Sequence, residues 1–93
     1  MISCSGGRCV LQGPVTMANI GPLLDEGARL IAGDQVTIDL AGVTEVDSAA
    51  VSLLLEWRRQ AQRASRAIRF INLPKNLRSL AELYGVTELL GEQ

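Results

Sequence analysis

The apolar positions of this chain change period along its length, and each change marks an element. Met1–Ser5 and Arg8–Gln12 are short runs joined by Gly6-Gly7, which tolerate the positive φ angles of a tight turn, so the pattern predicts a hairpin. Gly13-Pro14 is predicted to break the second strand. Ile20, Leu23, Leu24, Gly27, Ala28 and Ile31 then recur at helical spacing. Asn19 is the predicted cap of that helix, Pro22 sits in its first turn, and Gly33 ends it. Gln35-Val-Thr-Ile-Asp-Leu40 is β-branched and reads as a strand, followed by a short polar turn. Ser48 to about Ser65 reads as the longest helix. Val51, Leu54, Leu55 and Ala61 face inward there, and Arg58, Arg59, Gln62 and Arg63 face water. Ala67-Ile-Arg-Phe-Ile71 is a further strand. Pro74 opens a third helix at its first position, with a stripe of Leu77, Leu80, Ala81 and Tyr84. Gly85 stops that helix, and Thr87–Leu90 adds one last turn.

The resulting order is hairpin, helix, strand, helix, strand, helix. Strand–helix–strand units pair their strands in parallel, whereas a hairpin pairs them antiparallel. The expectation is an α/β fold. It has an open mixed β-sheet of about four strands, with helices packed mainly on one face. Residues 1–93 form a single domain.

Composition narrows the chemistry. The chain is 47% apolar but only 3% aromatic, so its core is aliphatic. Lys and Arg number 9 against 10 Asp and Glu. That balance, with so few stacking aromatics, argues against a nucleic-acid partner. Histidine is absent, which removes the commonest general base and metal ligand. Two thiols, Cys4 and Cys9, cannot complete a zinc site without it. They read as reduced strand residues of a reducing compartment. No window approaches the ~18 apolar residues of a membrane span, and Met1-Ile-Ser-Cys4 lacks the flank of a signal peptide. The expected location is the cytoplasm, with the membrane reached only through a partner. No phosphate-loop pattern occurs. No cofactor, metal or catalytic set is expected, and the protein is read as no enzyme.

The most informative stretch runs from Asp39 through Asp47 and Ser48 to Leu55. It joins a strand to the longest helix and sets an Asp-Ser pair at the helix start, where unpaired backbone N–H groups point outward. Such a position can cap the helix, accept a phosphate or seat against a partner. Ser48 reads first as a cap. Asp39, Glu45 and Asp47 cluster in sequence around the turn, where their expected roles are turn formation and helix-terminus electrostatics rather than metal binding. Arg58, Arg59, Arg63, Arg66 and Arg69 read as a solvated face.

The run Ile-Asp-Leu40, then Gly42-Val-Thr-x-Val-Asp-Ser48, then Val51-x-Leu-Leu-Leu55 resembles the STAS domain, shared by sulfate-transporter tails and anti-anti-sigma factors. In anti-anti-sigma factors the serine after Asp is phosphorylated by a partner kinase. Ser48 matches that serine and Asp47 the aspartate, while Ala50 replaces the family's usual Gly. Asn72-Leu-Pro74 and Leu77-Arg-Ser-Leu80-Ala-Glu-Leu83-Tyr84 are similar to the small STAS subunit of the bacterial Mla system, an ABC transporter of phospholipids between the two membranes. That resemblance implies a non-catalytic subunit that binds and supports the ATPase subunit. The complex would also hold a membrane permease and a periplasmic lipid-binding subunit. The implied contact surface is Asp47, Ser48, Ala49 and Ser52. Ala49 and Ala50 would keep the approach to the backbone open. The alternative is an anti-anti-sigma factor controlled by phosphorylation of Ser48.

Overall fold

The computed structural model describes residues 1–30 and 35–90. The predicted Ile31 and Gly33 lie outside them. Strands β1 (Ile2–Ser5) and β2 (Arg8–Val15) form the hairpin, with Gly6 and Gly7 at φ +58° and +81° in its turn. Helix α1 (Ile20–Leu30), strand β3 (Gln35–Val46), helix α2 (Ser48–Arg63), strand β4 (Ala67–Ile71) and helices α3 (Lys75–Leu83) and α4 (Thr87–Leu90) follow. The sheet order is β1-β2-β3-β4. The hairpin is antiparallel, and β2–β3 and β3–β4 are parallel, each joined across a helix. The fold is the expected α/β one with an open, mixed, four-stranded sheet.

Period-two alternation decides which side of the sheet is covered. Cys9, Leu11, Val36, Ile38, Leu40 and Phe70 are buried on one face. They join Leu23 of α1, Leu53, Leu54 and Trp57 of α2, Leu77 and Ala81 of α3 and Leu90 of α4 in one continuous core. The intervening positions Arg8, Thr37, Asp39 and Arg69 are partly or fully exposed on the other face. Gly27 of α1 packs directly against Trp57 of α2. A Cβ there would lie 2.4 Å from the Trp57 indole, so only glycine fits.

Several local expectations are corrected. Gly13-Pro14 does not end β2. Gly13 takes φ +84° within an irregular register against β3, and the strand runs on to Val15. The last β1 partner on that side is Leu11, followed by a bond from the Gln12 N–H to the Met1 carbonyl, so the missing Pro14 N–H costs no hairpin rung. The stretch after Leu40 is no turn, because β3 continues to Val46. Helix α2 stops at Arg63, two residues before the expected end. Ser65 at φ +56° and bonds from the Ser65 and Arg66 N–H groups to Gln62 and Ala61 carbonyls close it as a Schellman cap. Pro74 is the N-cap of α3 rather than its first residue. Ala28 is exposed despite its place in the α1 stripe.

The cysteines depart furthest from expectation. Cys4 and Cys9 stand directly opposite in the hairpin register and are joined as a disulfide. The two-residue turn sets them opposite each other, and the expectation of reduced thiols rests on a reducing compartment rather than on the register.

Candidate functional site

A single residue, Asp47, separates the end of β3 from the start of α2. Its backbone is extended, and its Oδ1 accepts the Ala49 N–H at 2.8 Å. Asp47 is therefore the N-cap, and Ser48, read as the cap, is instead the first helical residue. A carboxylate suits this place because the helix N-terminus carries a positive partial charge. Its second oxygen, Oδ2, accepts the Met17 N–H at 3.0 Å. One carboxylate thus ties the β2–α1 loop to the start of α2.

That loop is itself cross-braced. Asn19 Oδ1 accepts the Thr16 N–H at 2.8 Å, its Nδ2 donates to the Pro14 carbonyl, and its own N–H bonds the Thr16 carbonyl at 3.0 Å. Asn19, expected to cap α1, uses its side chain to fold the loop before it. Met17 is left 71% exposed at the tip.

Ser48 and Ser52 are both exposed and one helical turn apart. They border a shallow depression with Val51, Leu55, Tyr84 and Val86. The Tyr84–Val86 side of it is built by a second Schellman cap. Gly85 at φ +69° closes α3, with its N–H bonded to Glu82 and the Val86 N–H to Ala81. The cap turns Tyr84 outward, 51% exposed, instead of into the expected stripe, and leaves Leu83 74% exposed beside it in sequence. Tyr84 and Val86 border the depression although the sequence pattern gives neither a place there. The signal is Gly85, whose left-handed cap redirects the chain. Ser52 also borders a depression between α1 and α2 with Ile20, Leu24 and Leu53.

Ala49 and Ala50 do not join this surface. They are 4% and 1% exposed, so Ala49 belongs to the interior rather than to the expected contact set. Ala50 sits against the sheet with Leu11, Val15, Leu40 and Val43. The three carboxylates also part company, because β3 extends through Asp39 and Glu45 and ends just before Asp47. Asp39 lies mid-strand, where its carboxylate accepts from the Ala41 N–H at 2.9 Å, from Asn72 Nδ2 at 3.2 Å and from Arg8 at 2.8 Å. The Ala41 N–H foremost, then Asn72 and Arg8, hold its pKa below the ordinary carboxylate value against the opposing effect of burial. Glu45 is exposed farther along β3. Among the described residues no group of three or more carboxylates or thiols converges on a metal position, and no helix is long and apolar enough to cross a membrane. Of the basic series, Arg59 pairs with Glu56 at 3.0 Å on the surface of α2.

Comparisons with known proteins agree with this architecture. Residues 5–91 match a family model described as Mlab, STAS domain. The fold is similar to that of the anti-sigma factor antagonist SpoIIAA in its unphosphorylated form. The TM-score there is 0.78 and the identity 13%, over 100% of this chain and 86% of that one. The crystal structure of Mglu contains a similar unit, with a TM-score of 0.63 and 24% identity over 83% of this chain and 20% of that one. No curated protein matches the sequence.

Proposed function

The chain belongs to the Mlab STAS-domain family, and from that premise we propose that it is a non-catalytic subunit that docks on the ATPase subunit of an ABC transporter. That transporter would carry phospholipids between inner and outer membranes, with a permease and a periplasmic lipid-binding subunit in the same complex. The docking face is the start of α2 with its neighbours Tyr84 and Val86, and the complex is attached to the inner membrane on the cytoplasmic side. The observation that carries this reading is the join of exposed hydroxyls, Ser48 and Ser52, to half-exposed apolar groups around one depression. Hydroxyls give directional bonds and apolar groups give desolvated area, the mixture found at protein interfaces. Asp47 acts from behind that face. Both of its oxygens hold backbone N–H groups of its own chain, so it shapes the surface rather than reaching the partner.

Co-expression with the ATPase subunit of an Mla-type transporter tests the reading. Wild-type protein co-purifies and raises ATP turnover, whereas folded Ser48→Glu does neither. Full retention of both by the variant would place the docking face elsewhere.

The likeness to SpoIIAA supports a second reading, in which Ser48 is a phosphorylation site of a signalling switch. Its hydroxyl is exposed at the first position of α2, where a kinase has access. A phosphate there adds about −1.5 to −2 charge and would expel a bound partner. Phosphate on Ser48 of protein isolated from cells, lost with the gene for a neighbouring serine kinase, would favour this reading.

A further inference from the structure

The Cys4–Cys9 pair lies on the hairpin, outside the docking face. The two residues are direct partners in the register, with Cα atoms 4.0 Å apart, the close spacing of a pair lying between ladder hydrogen bonds. Their surroundings are unequal. Cys9 is 2% exposed on the inner face of β2. Cys4 is partly exposed on β1, a four-residue strand at the edge of the sheet. Thiol–disulfide exchange depends on which sulfur an external reagent can reach.

We propose that Cys4 and Cys9 form a reversible dithiol–disulfide site, oxidised by low-molecular-weight disulfides and entered through Cys4. In the first step the Cys4 thiolate attacks one sulfur of the external disulfide. The external S–S bond breaks, and one thiolate leaves with the electron pair. In the second step the Cys9 thiolate attacks the Cys4 sulfur and releases the other thiolate. The two protons lost by the cysteines go to the two released thiolates. Two cysteine thiols are thereby oxidised, and one external disulfide is reduced to two thiols. Reduction runs the same path backwards, with an external thiolate attacking Cys4 and Cys9 leaving.

The bond clamps an edge strand. Reduced, β1 is held by its ladder to β2, by the burial of Ile2 and by the bond from the Met1 amine to the Gln12 carbonyl. Opening the disulfide therefore raises backbone exchange in β1 ahead of the rest of the sheet.

Oxidised and reduced glutathione, mixed at a series of ratios, test the site by intact mass and thiol counting. Wild type converts reversibly between two free thiols and none, without a stable glutathione adduct. Folded Cys9→Ala, lacking the resolving thiol, takes one glutathione on Cys4. Folded Cys4→Ala leaves Cys9 shielded and reacts more than about tenfold slower. Two free thiols persisting in excess oxidised glutathione would overturn the proposal in the wild type alone, whatever the variants do. Equal adduct rates in the two folded variants would overturn Cys4 as the point of entry.

Discussion

Asp39 and Asp47 stand on or just beyond the same strand, and the chain uses them differently. Asp39 sits on the bare face of the sheet and ties sideways, to Arg8 of β2 and to Asn72 beyond β4. Asp47 sits past the end of β3 and ties the β2–α1 loop to the start of α2. Both carboxylates serve their own chain. What differs is the company they keep. Around Asp39 the neighbours are polar groups that satisfy it. Next to Asp47, Ser48 and Ser52 stay exposed beside a depression edged by Leu55, Tyr84 and Val86. A charged residue at a motif is thus no evidence of an external contact when its own chain already satisfies it.

The largest effect lies beneath α2, in the layer that supports the Asp47 side. Leu54 is 1% exposed, so Leu54→Ala costs about 2–5 kcal/mol and lowers the thermal midpoint by about ten degrees or more. A melt near wild type would mean that α2 is not held by this layer. Gly27→Ala comes next. Alanine ordinarily favours a helix, but here its Cβ meets Trp57 at 2.4 Å, so the expected change is a loss of about 1–3 kcal/mol in denaturant titration. A gain in stability would show that α1 and α2 do not approach so closely.

Asp47→Ala removes the cap and the tie to Met17 together, an expected loss of about 1–2 kcal/mol, whereas Asp47→Asn keeps most of the capping. Amide exchange separates the two roles, since Met17 is deprotected in the alanine variant. Ser48→Ala changes stability by no more than about 0.5 kcal/mol, because Asp47 and not Ser48 is the cap. Asp39→Asn also gives a small change at neutral pH, no more than about 0.5 kcal/mol, since its Arg8 partner is 56% exposed. Its signature is the pH profile. A carboxylate whose folded pKa is lowered contributes fully above its unfolded value of about 3.9 and loses that contribution as pH falls through the folded one. Acid unfolding below pH ~4 is therefore steeper in wild type than in Asp39→Asn, and identical slopes would detach Asp39 from the profile.

The fold was legible in the sequence because period and punctuation agree with it. The Gly6-Gly7 hairpin, the β-branched run from Gln35 and the strand at Ala67 all fell where expected. The joint between β3 and α2 was harder. Gly42, Thr44 and Glu45 read as a turn, yet pairing of Gln12, Gly13 and Val15 with Gly42, Val43 and Val46 carries the strand on. Such a ladder is non-local and leaves no local mark. That one error brought Asp39 and Asp47 falsely together and moved the cap to Ser48. Ser48 and Ser52 come from the family resemblance, and their spacing of four residues sets their hydroxyls on one side of α2. Ala49 was misplaced because a small residue fits a close internal contact as well as an open surface. Tyr84 followed the α3 spacing until the Gly85 cap redirected it, and its meeting with Ser48 and Ser52 depends on tertiary packing.

Titration calorimetry of the purified protein against the ATPase subunit compares the Asp47 and Asp39 regions most directly. Ser48→Glu, verified as folded by circular dichroism, is expected to weaken binding more than tenfold, the loss of a contact worth about 2 kcal/mol or more. Asp39→Asn is expected to bind as wild type does. Equal affinities for wild type and folded Ser48→Glu, or a loss confined to Asp39→Asn, would contradict a docking face at the start of α2.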